Sequence, residues 1–284
     1  MLLQKIKAVY QIFRPELPLA AGVCVILGSI VALGRFPPIQ QLILGFMCGF
    51  FISGSAIIMN DYFDLDVDRI NAPDRPLPAG ILSLSEAVGL AATTMFIGLA
   101  AALMLGLAAF MLCVVFASIG LVYNWKFKES GFLGNLMVSS NVGITFILGG
   151  IIVGDPWNAM VWMFALIAFF IDLGEEIAGD AMDMEGDKKR DSQSIAIRRG
   201  RSFALAISAS LFGVAILLSL APVFLGWLGI GYLGLVLIID IIVILCTIRL
   251  LKSRTPEEGR LAMRGIYMSA LVGMLAFLLY RLIV

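Results

Sequence analysis

Six aspartates, in two sets of three, carry the chemistry of this chain. Asp61, Asp64 and Asp68 fall at i, i+3 and i+7, and Asp180, Asp183 and Asp187 repeat that spacing 119 residues later. At 3.6 residues per turn, these offsets place three side chains within about 60° of arc on one helix face. Carboxylates stacked on one face repel one another, so a pattern built twice points to bound cations. A solvated loop charge is a fair reading of any one of these residues. It is a poor account of the repeat, whose faces Asn60 and Glu176 extend.

The chain of 284 residues contains no histidine. That excludes imidazole acid–base catalysis, Ser-His and Cys-His nucleophiles and imidazole metal sites. A metal must then be held by oxygen, which favours magnesium, calcium or manganese. Basic residues follow each acidic set: Arg75 after the first, and Lys188, Lys189, Arg190 and Arg198 after the second. Between them lies Tyr123-Asn124-Trp125-Lys126-Phe127-Lys128. Carboxylates, divalent cations and bases together suit a di- or polyphosphate, with the metal bridging acid and phosphate oxygens. The Gly-x-x-x-x-Gly-Lys loop of nucleotide triphosphatases is missing.

The elements that must position these groups are transmembrane helices. Hydrophobic residues make up 61% of the chain and charged residues 14%, against about 25% charged in soluble domains, and the mean hydropathy is +1.00. The zero net charge argues against a nucleic-acid partner. Cys24, Cys48, Cys113 and Cys246 all lie in apolar runs and read as core residues. No cleavable signal peptide is expected over Met1–Glu16. Nine spans are expected, near 17–34, 39–60, 84–105, 107–123, 133–153, 157–178, 202–221, 225–248 and 262–283. Ser83 and Glu86 form a capping box, Asp155-Pro156 opens the sixth span, and Thr255-Pro256-Glu257-Glu258 makes a turn before the ninth.

With the N-terminus in the cytoplasm, 18 of the 20 Lys and Arg residues fall on the cytoplasmic side, leaving Arg35 and Arg281 outside. The expected fold is an all-α, multi-pass bundle in the cell membrane, its C-terminus outside and its site near the cytoplasmic face. Residues 1–284 read as a single domain, with a four-helix duplication over roughly 17–123 and 133–248 and a ninth helix added. Of the 20 acidic residues, 13 fall in 61–74 or 172–191. An Asp at a helix centre costs about 2.5–3.5 kcal/mol, so these groups need a polar cavity or the interface.

These motifs resemble those of the UbiA-type intramembrane prenyltransferases, and the resemblance runs nearly end to end. The Asn-Asp-x-x-Asp-x-x-x-Asp motif stands as Asn60, Asp61, Asp64 and Asp68, followed by Asn71, Arg75, Pro76, Leu77 and Pro78. The second motif stands as Glu176, Ile177, Asp180, Asp183, Gly186 and Asp187, and the Tyr-then-Lys element as Tyr123 with Lys126 and Lys128. An Arg14-Pro15 element is present, with Leu17 where many relatives carry asparagine. Within the superfamily the chain is most similar to archaeal digeranylgeranylglyceryl phosphate synthases, through the 175–180 run and Gly134-Asn135.

The resemblance implies Mg2+-dependent transfer of a geranylgeranyl group from its diphosphate to the hydroxyl of a glycerol-phosphate ether lipid, through an allylic cation. Asn60, Asp64 and Asp68 would bind magnesium with Asp180, Asp183 and Asp187, and Asp61 would be a ligand or support one. Arg75, Lys126 or Lys128, Lys188 and Arg198 would hold the diphosphate, with Asn71 and Tyr123 close by. Lys5, Lys7 and Arg14 are candidates for an acceptor phosphate. Tyr62, Phe63, Tyr123, Trp125 and Phe170 could face the cation, although packing is the commoner role of such residues. Competing readings are an aromatic or quinone-precursor acceptor, a CDP-alcohol phosphotransferase (whose motif is missing) and a cation transporter.

Overall fold

A computed structural model describes residues 2–187 and 192–283, and all regular structure among them is helical. The chain divides into two compact units, Met1–Lys126 with Leu148–Pro156, and Phe127–Ile147 with Trp157–Val284.

The first unit holds α1 (Leu2–Phe13), α2 (Glu16–Leu33), α3 (Ile39–Phe63), α4 (Leu65–Asn71), α5 (Leu84–Leu105) and α6 (Leu107–Val122). It also takes in the last turn of α7 (Phe132–Ile152). The expected capping box opens α5: the Ser83 hydroxyl accepts from the Glu86 N–H while the Glu86 carboxylate accepts from the Ser83 N–H. Small residues let backbones approach α2, as expected where lipid gives no hydrophobic drive between helices. A Cβ on Gly49 would stand 2.7 Å from the Ala21 carbonyl oxygen, and one on Gly149 would stand 2.4 Å from that of Val25. One core gathers Val25, Leu44, Cys48, Ala102, Cys113 and Leu148. Another, with Ala8, Ile12, Ile58, Leu77 and Leu82, seats α1 against α3 and the segment after α4.

The second unit holds most of α7, then α8 (Ala159–Met182), α9 (Met184–Asp187), α10 (Ile195–Arg199), α11 (Arg201–Phe224), α12 (Ile230–Lys252) and α13 (Pro256–Ile283). Its core includes Leu173, Ile177, Leu205, Phe212, Leu250 and Ile266. The Phe212 ring fills the space over Gly174, where a Cβ would stand 2.6 Å away.

Eight helices among the described residues are long and apolar enough to cross a membrane. The sixth expected span, α8, falls outside that set because Asp172, Glu175 and Glu176 interrupt its apolar sequence. Its 24 residues nevertheless rise about 36 Å. With α8, the described residues hold nine helices of 16 residues or more, as expected.

Three boundaries differ from expectation. The α8 helix starts after Asn158, whose side chain accepts from the Met160 and Val161 N–H groups, so Asp155-Pro156 lies in the preceding turn. Gly226, in left-handed conformation at φ 71, helps to hold a turn that delays α12 to Ile230. Thr255-Pro256-Glu257-Glu258 is the start of α13 itself: Pro256 takes the first position and Thr255 Oγ1 accepts from the Glu258 N–H. All four cysteines are buried and free.

Candidate active site

The first acidic motif straddles a break in the helix. The α3 helix stops at Phe63, Asp64 takes φ −84 and ψ 0, and α4 begins at Leu65. This corrects the expectation of one continuous helix. The hydrogen bonds Asp64 N–H to Asn60 O (3.0 Å) and Asp68 N–H to Asp64 O (2.8 Å) carry the i to i+4 pattern across the junction.

Asp61 and Asp68 are buried, at 3% and 5% exposure, and each has an arginine. Arg14 Nη2 donates to Asp61 Oδ1 at 2.6 Å, and Arg75 Nη1 donates to Asp68 Oδ2 at 2.6 Å while lying 3.7 Å from Asp61 Oδ1. Two carboxylates and two guanidiniums thus form one network. Arg14 occupies the junction of α1 and α2 with φ 44, the single non-glycine residue at positive φ among the described residues. That conformation costs roughly 1–3 kcal/mol, and the buried ion pair helps to offset it.

Turns position Arg75. Its N–H bonds to Ala72 O at 3.0 Å, and the Ile81 and Leu82 N–H groups bond to Pro76 O at 3.0 and 3.1 Å, over the buried Pro76 and Leu77. Asn60 Nδ2 donates to Asn124 Oδ1 at 3.0 Å, and Asn124 Nδ2 donates to Gly120 O at 3.1 Å. Asn124 is a site residue the sequence reading passed over; a polar residue at the end of the apolar α6 run was its signal. It sits in a single π-helical turn, Tyr123–Phe127, a device common at functional sites.

The second motif repeats the break. The α8 helix stops at Met182, Asp183 takes φ −101 and ψ 9 with its N–H on Gly179 O at 3.0 Å, and α9 follows. Asp180 Oδ2 accepts from Asn135 Nδ2 at 2.9 Å, and about two turns deeper on α8 Asp172 Oδ2 accepts from the Ser139 hydroxyl at 2.8 Å. Arg260 pairs with Asp183, both side chains being more than half exposed. Arg260 was read as a topology marker alone, and Ser139 gave no signal.

Lys128 lies close enough to Glu176 to act on its charge and is half-buried, whereas Lys126 is exposed. Gly131, at φ 66, lets this segment meet the chain after the second motif: a Cβ there would stand 2.3 Å from Gln193 O, and the Gln193 N–H bonds to Glu129 O at 2.9 Å. Arg198 is exposed and donates to Gln193 Oε1. Lys188 and the side chains of Asn71 and Asp187 lie outside the described residues. Tyr62 and Phe63 meet edge to face, as do Phe169 and Phe170. Trp125 is 72% exposed, which suits a lipid or interface contact.

Among the described residues no three His, Cys, Asp or Glu side chains are gathered as a ready metal cluster. The donors at both breaks are carboxylate and amide oxygens, the chemistry that a hard cation such as magnesium requires. At the first break Arg75 accompanies the acids, and in the other unit Lys128 lies near Glu176.

Residues 21–279 match the UbiA prenyltransferase family. A digeranylgeranylglyceryl phosphate synthase of Pyrococcus horikoshii is 35% identical over 274 residues, 96% of each chain. Among solved structures, one of a digeranylgeranylglyceryl phosphate synthase is 30% identical, with a TM-score of 0.76 and 99% of each chain covered. A UbiA homologue of Archaeoglobus fulgidus bound to DMAPP and Mg2+ is 21% identical, with a TM-score of 0.68 over 94% of this chain and 98% of its own. The chain belongs to the UbiA prenyltransferase family.

Proposed function

We propose that this protein transfers a geranylgeranyl group from its diphosphate to the hydroxyl of geranylgeranylglyceryl phosphate, forming an ether in the presence of Mg2+. The observation that carries the reading is the identity of 35% to a digeranylgeranylglyceryl phosphate synthase across 96% of both chains. The Mg2+ and DMAPP bound to the Archaeoglobus fulgidus homologue support the cofactor and the diphosphate substrate.

In this reading Asn60, Asp64 and Asp68 hold magnesium at the first break, and Asp180, Asp183 and Asp187 hold it at the second. Bound magnesium supplies positive charge to the leaving diphosphate as the allylic C–O bond lengthens. Arg75 and Lys128 add charge-assisted hydrogen bonds to the same oxygens, with Lys126, Lys188, Arg198, Asn71 and Tyr123 as outer contacts. Asp61 serves by holding Arg14 and Arg75 in place, and Arg14 in turn fixes Asp61. The prenyl tail lies among apolar helix faces that keep water from the cationic carbon. The acceptor oxygen bonds to that carbon, and the diphosphate departs with the electron pair.

The bias of basic residues supports a cell-membrane protein with a cytoplasmic N-terminus, an outside C-terminus and both motifs at the cytoplasmic side. The chain acts as one transmembrane domain. To test the function, purified protein is mixed with Mg2+, geranylgeranyl diphosphate and a panel of acceptors, and the product masses are read. The ether product with geranylgeranylglyceryl phosphate is expected, and loss of activity on chelation. Alkylation of an aromatic or quinone-precursor acceptor alone would overturn the acceptor assignment. Metal flux in proteoliposomes without prenyl turnover would overturn the enzyme.

A further inference from the structure

Among the described residues two buried side-chain oxygens have no hydrogen-bond partner, Asn141 Oδ1 and Glu175 Oε1. Asn141 is on α7 and Glu175 on α8, neighbouring helices of one unit joined by the Ser139–Asp172 hydrogen bond. Other acids in these apolar segments are given donors: Asp172 by Ser139 at 2.8 Å, Asp180 by Asn135 at 2.9 Å, and Asp240 on α12 by Ser219 at 2.9 Å. Glu175 Oε1 is fully buried and has no such donor. It lies five residues before Asp180, about 7.5 Å of helix rise deeper into the span.

A carboxylate oxygen left bare in such a place does nothing for the fold. Burying an unpaired polar group is unfavourable, and Asp172, three residues earlier on the same helix, adds repulsion. Whatever completes Glu175 Oε1 as a carboxylate oxygen must bring a hydrogen-bond donor. An ionised prenyl diphosphate has no donor in its head or its tail. The lipid acceptor has one, the hydroxyl that becomes the ether oxygen.

We infer that Glu175 receives the hydrogen bond of the acceptor hydroxyl and takes its proton as the ether forms. This rests on the transfer reaction proposed above. The hydroxyl oxygen bonds to C1 of the prenyl group, the C1–O bond to the diphosphate breaks with its electron pair leaving on the diphosphate, and the proton passes to Glu175.

The test is Glu175→Gln in the full-length protein, assayed beside wild type with Mg2+, geranylgeranyl diphosphate and geranylgeranylglyceryl phosphate. The amide keeps the shape and removes the base. Transfer is expected to fall roughly 100-fold or more in kcat, while prenyl-diphosphate affinity stays within about 2-fold and the melting temperature rises by about 2–4 °C. Glu175→Asp is expected to regain part of the lost rate. Transfer within about 3-fold of wild type, equal losses of transfer and prenyl-diphosphate binding, or a variant that fails to fold would each overturn the inference, the last by showing that the carboxylate supports the structure. A wild-type protein that makes no ether product would instead sink the proposed function.

Discussion

The two acidic motifs share a backbone and differ in what surrounds it. In each, a long helix stops, one aspartate takes a near-helical bridging conformation, and a short helix continues; Asp64 and Asp183 play that part 119 residues apart. At the first break Arg14 and Arg75 meet Asp61 and Asp68, two charges against two, with both carboxylates buried. At the second, Asp172, Glu175, Glu176 and Asp180 line α8, Lys128 acts on one of them, and Arg260 reaches Asp183 at the exposed rim. Among the described residues, the first break pairs two buried carboxylates with two guanidiniums, whereas the second follows four acids on α8. A shared motif therefore need not have a shared energetic role.

Removing a bridging aspartate should strip both motifs of this distinction. Asp64→Ala and Asp183→Ala are each expected to lower Mg2+-dependent transfer by roughly 1,000-fold, measured as product mass per unit time; near-normal rates in both would show that the breaks are not metal sites. Neutralising a neighbour should then separate the two. Asp61→Asn, which leaves Arg14 facing a neutral amide, is expected to cost about 2–3 kcal/mol of stability in Mg2+-free buffer, less than a fully buried pair because Arg14 is partly solvated. Glu176→Gln is expected to raise the melting temperature by about 2–4 °C under the same conditions. Shifts of the same sign in calorimetry would erase the contrast.

A smaller effect distinguishes the lysines. Lys128→Ala should raise the KM for prenyl diphosphate by about 10-fold and Lys126→Ala by no more than about 2-fold, as expected for one lost charge-assisted hydrogen bond. Smallest of all, Arg260→Ala should change stability by under about 0.5 kcal/mol, because both members of its pair are exposed.

The helices were legible because apolar runs and the positive-inside bias depend on local sequence alone. The capping box at Ser83 and Glu86 was equally so. The breaks at Asp64 and Asp183 were not, since the hydrogen bonding across them preserves helical spacing and neither aspartate signals a stop. Arg14 and Asp61 are 47 positions apart, and only tertiary packing joins them. The choice between Lys126 and Lys128 was hidden by the π-helical turn over Tyr123–Phe127, which changes the number of residues per turn and so the face each lysine presents. The α1 helix carries a periodic signal of its own. Its Ala8 and Ile12 are buried while Leu3, Ile6 and Tyr10 are exposed, a helical period that was there to be read.

The central claim is that each motif is needed for Mg2+-dependent binding of the prenyl diphosphate. Calorimetric titration of Mg2+ into protein saturated with a non-reactive thiolo analogue of geranylgeranyl diphosphate tests it most directly. Asp64→Ala and Asp183→Ala should each abolish the joint binding of metal and analogue seen in the wild type. Wild-type binding in either variant would contradict the account.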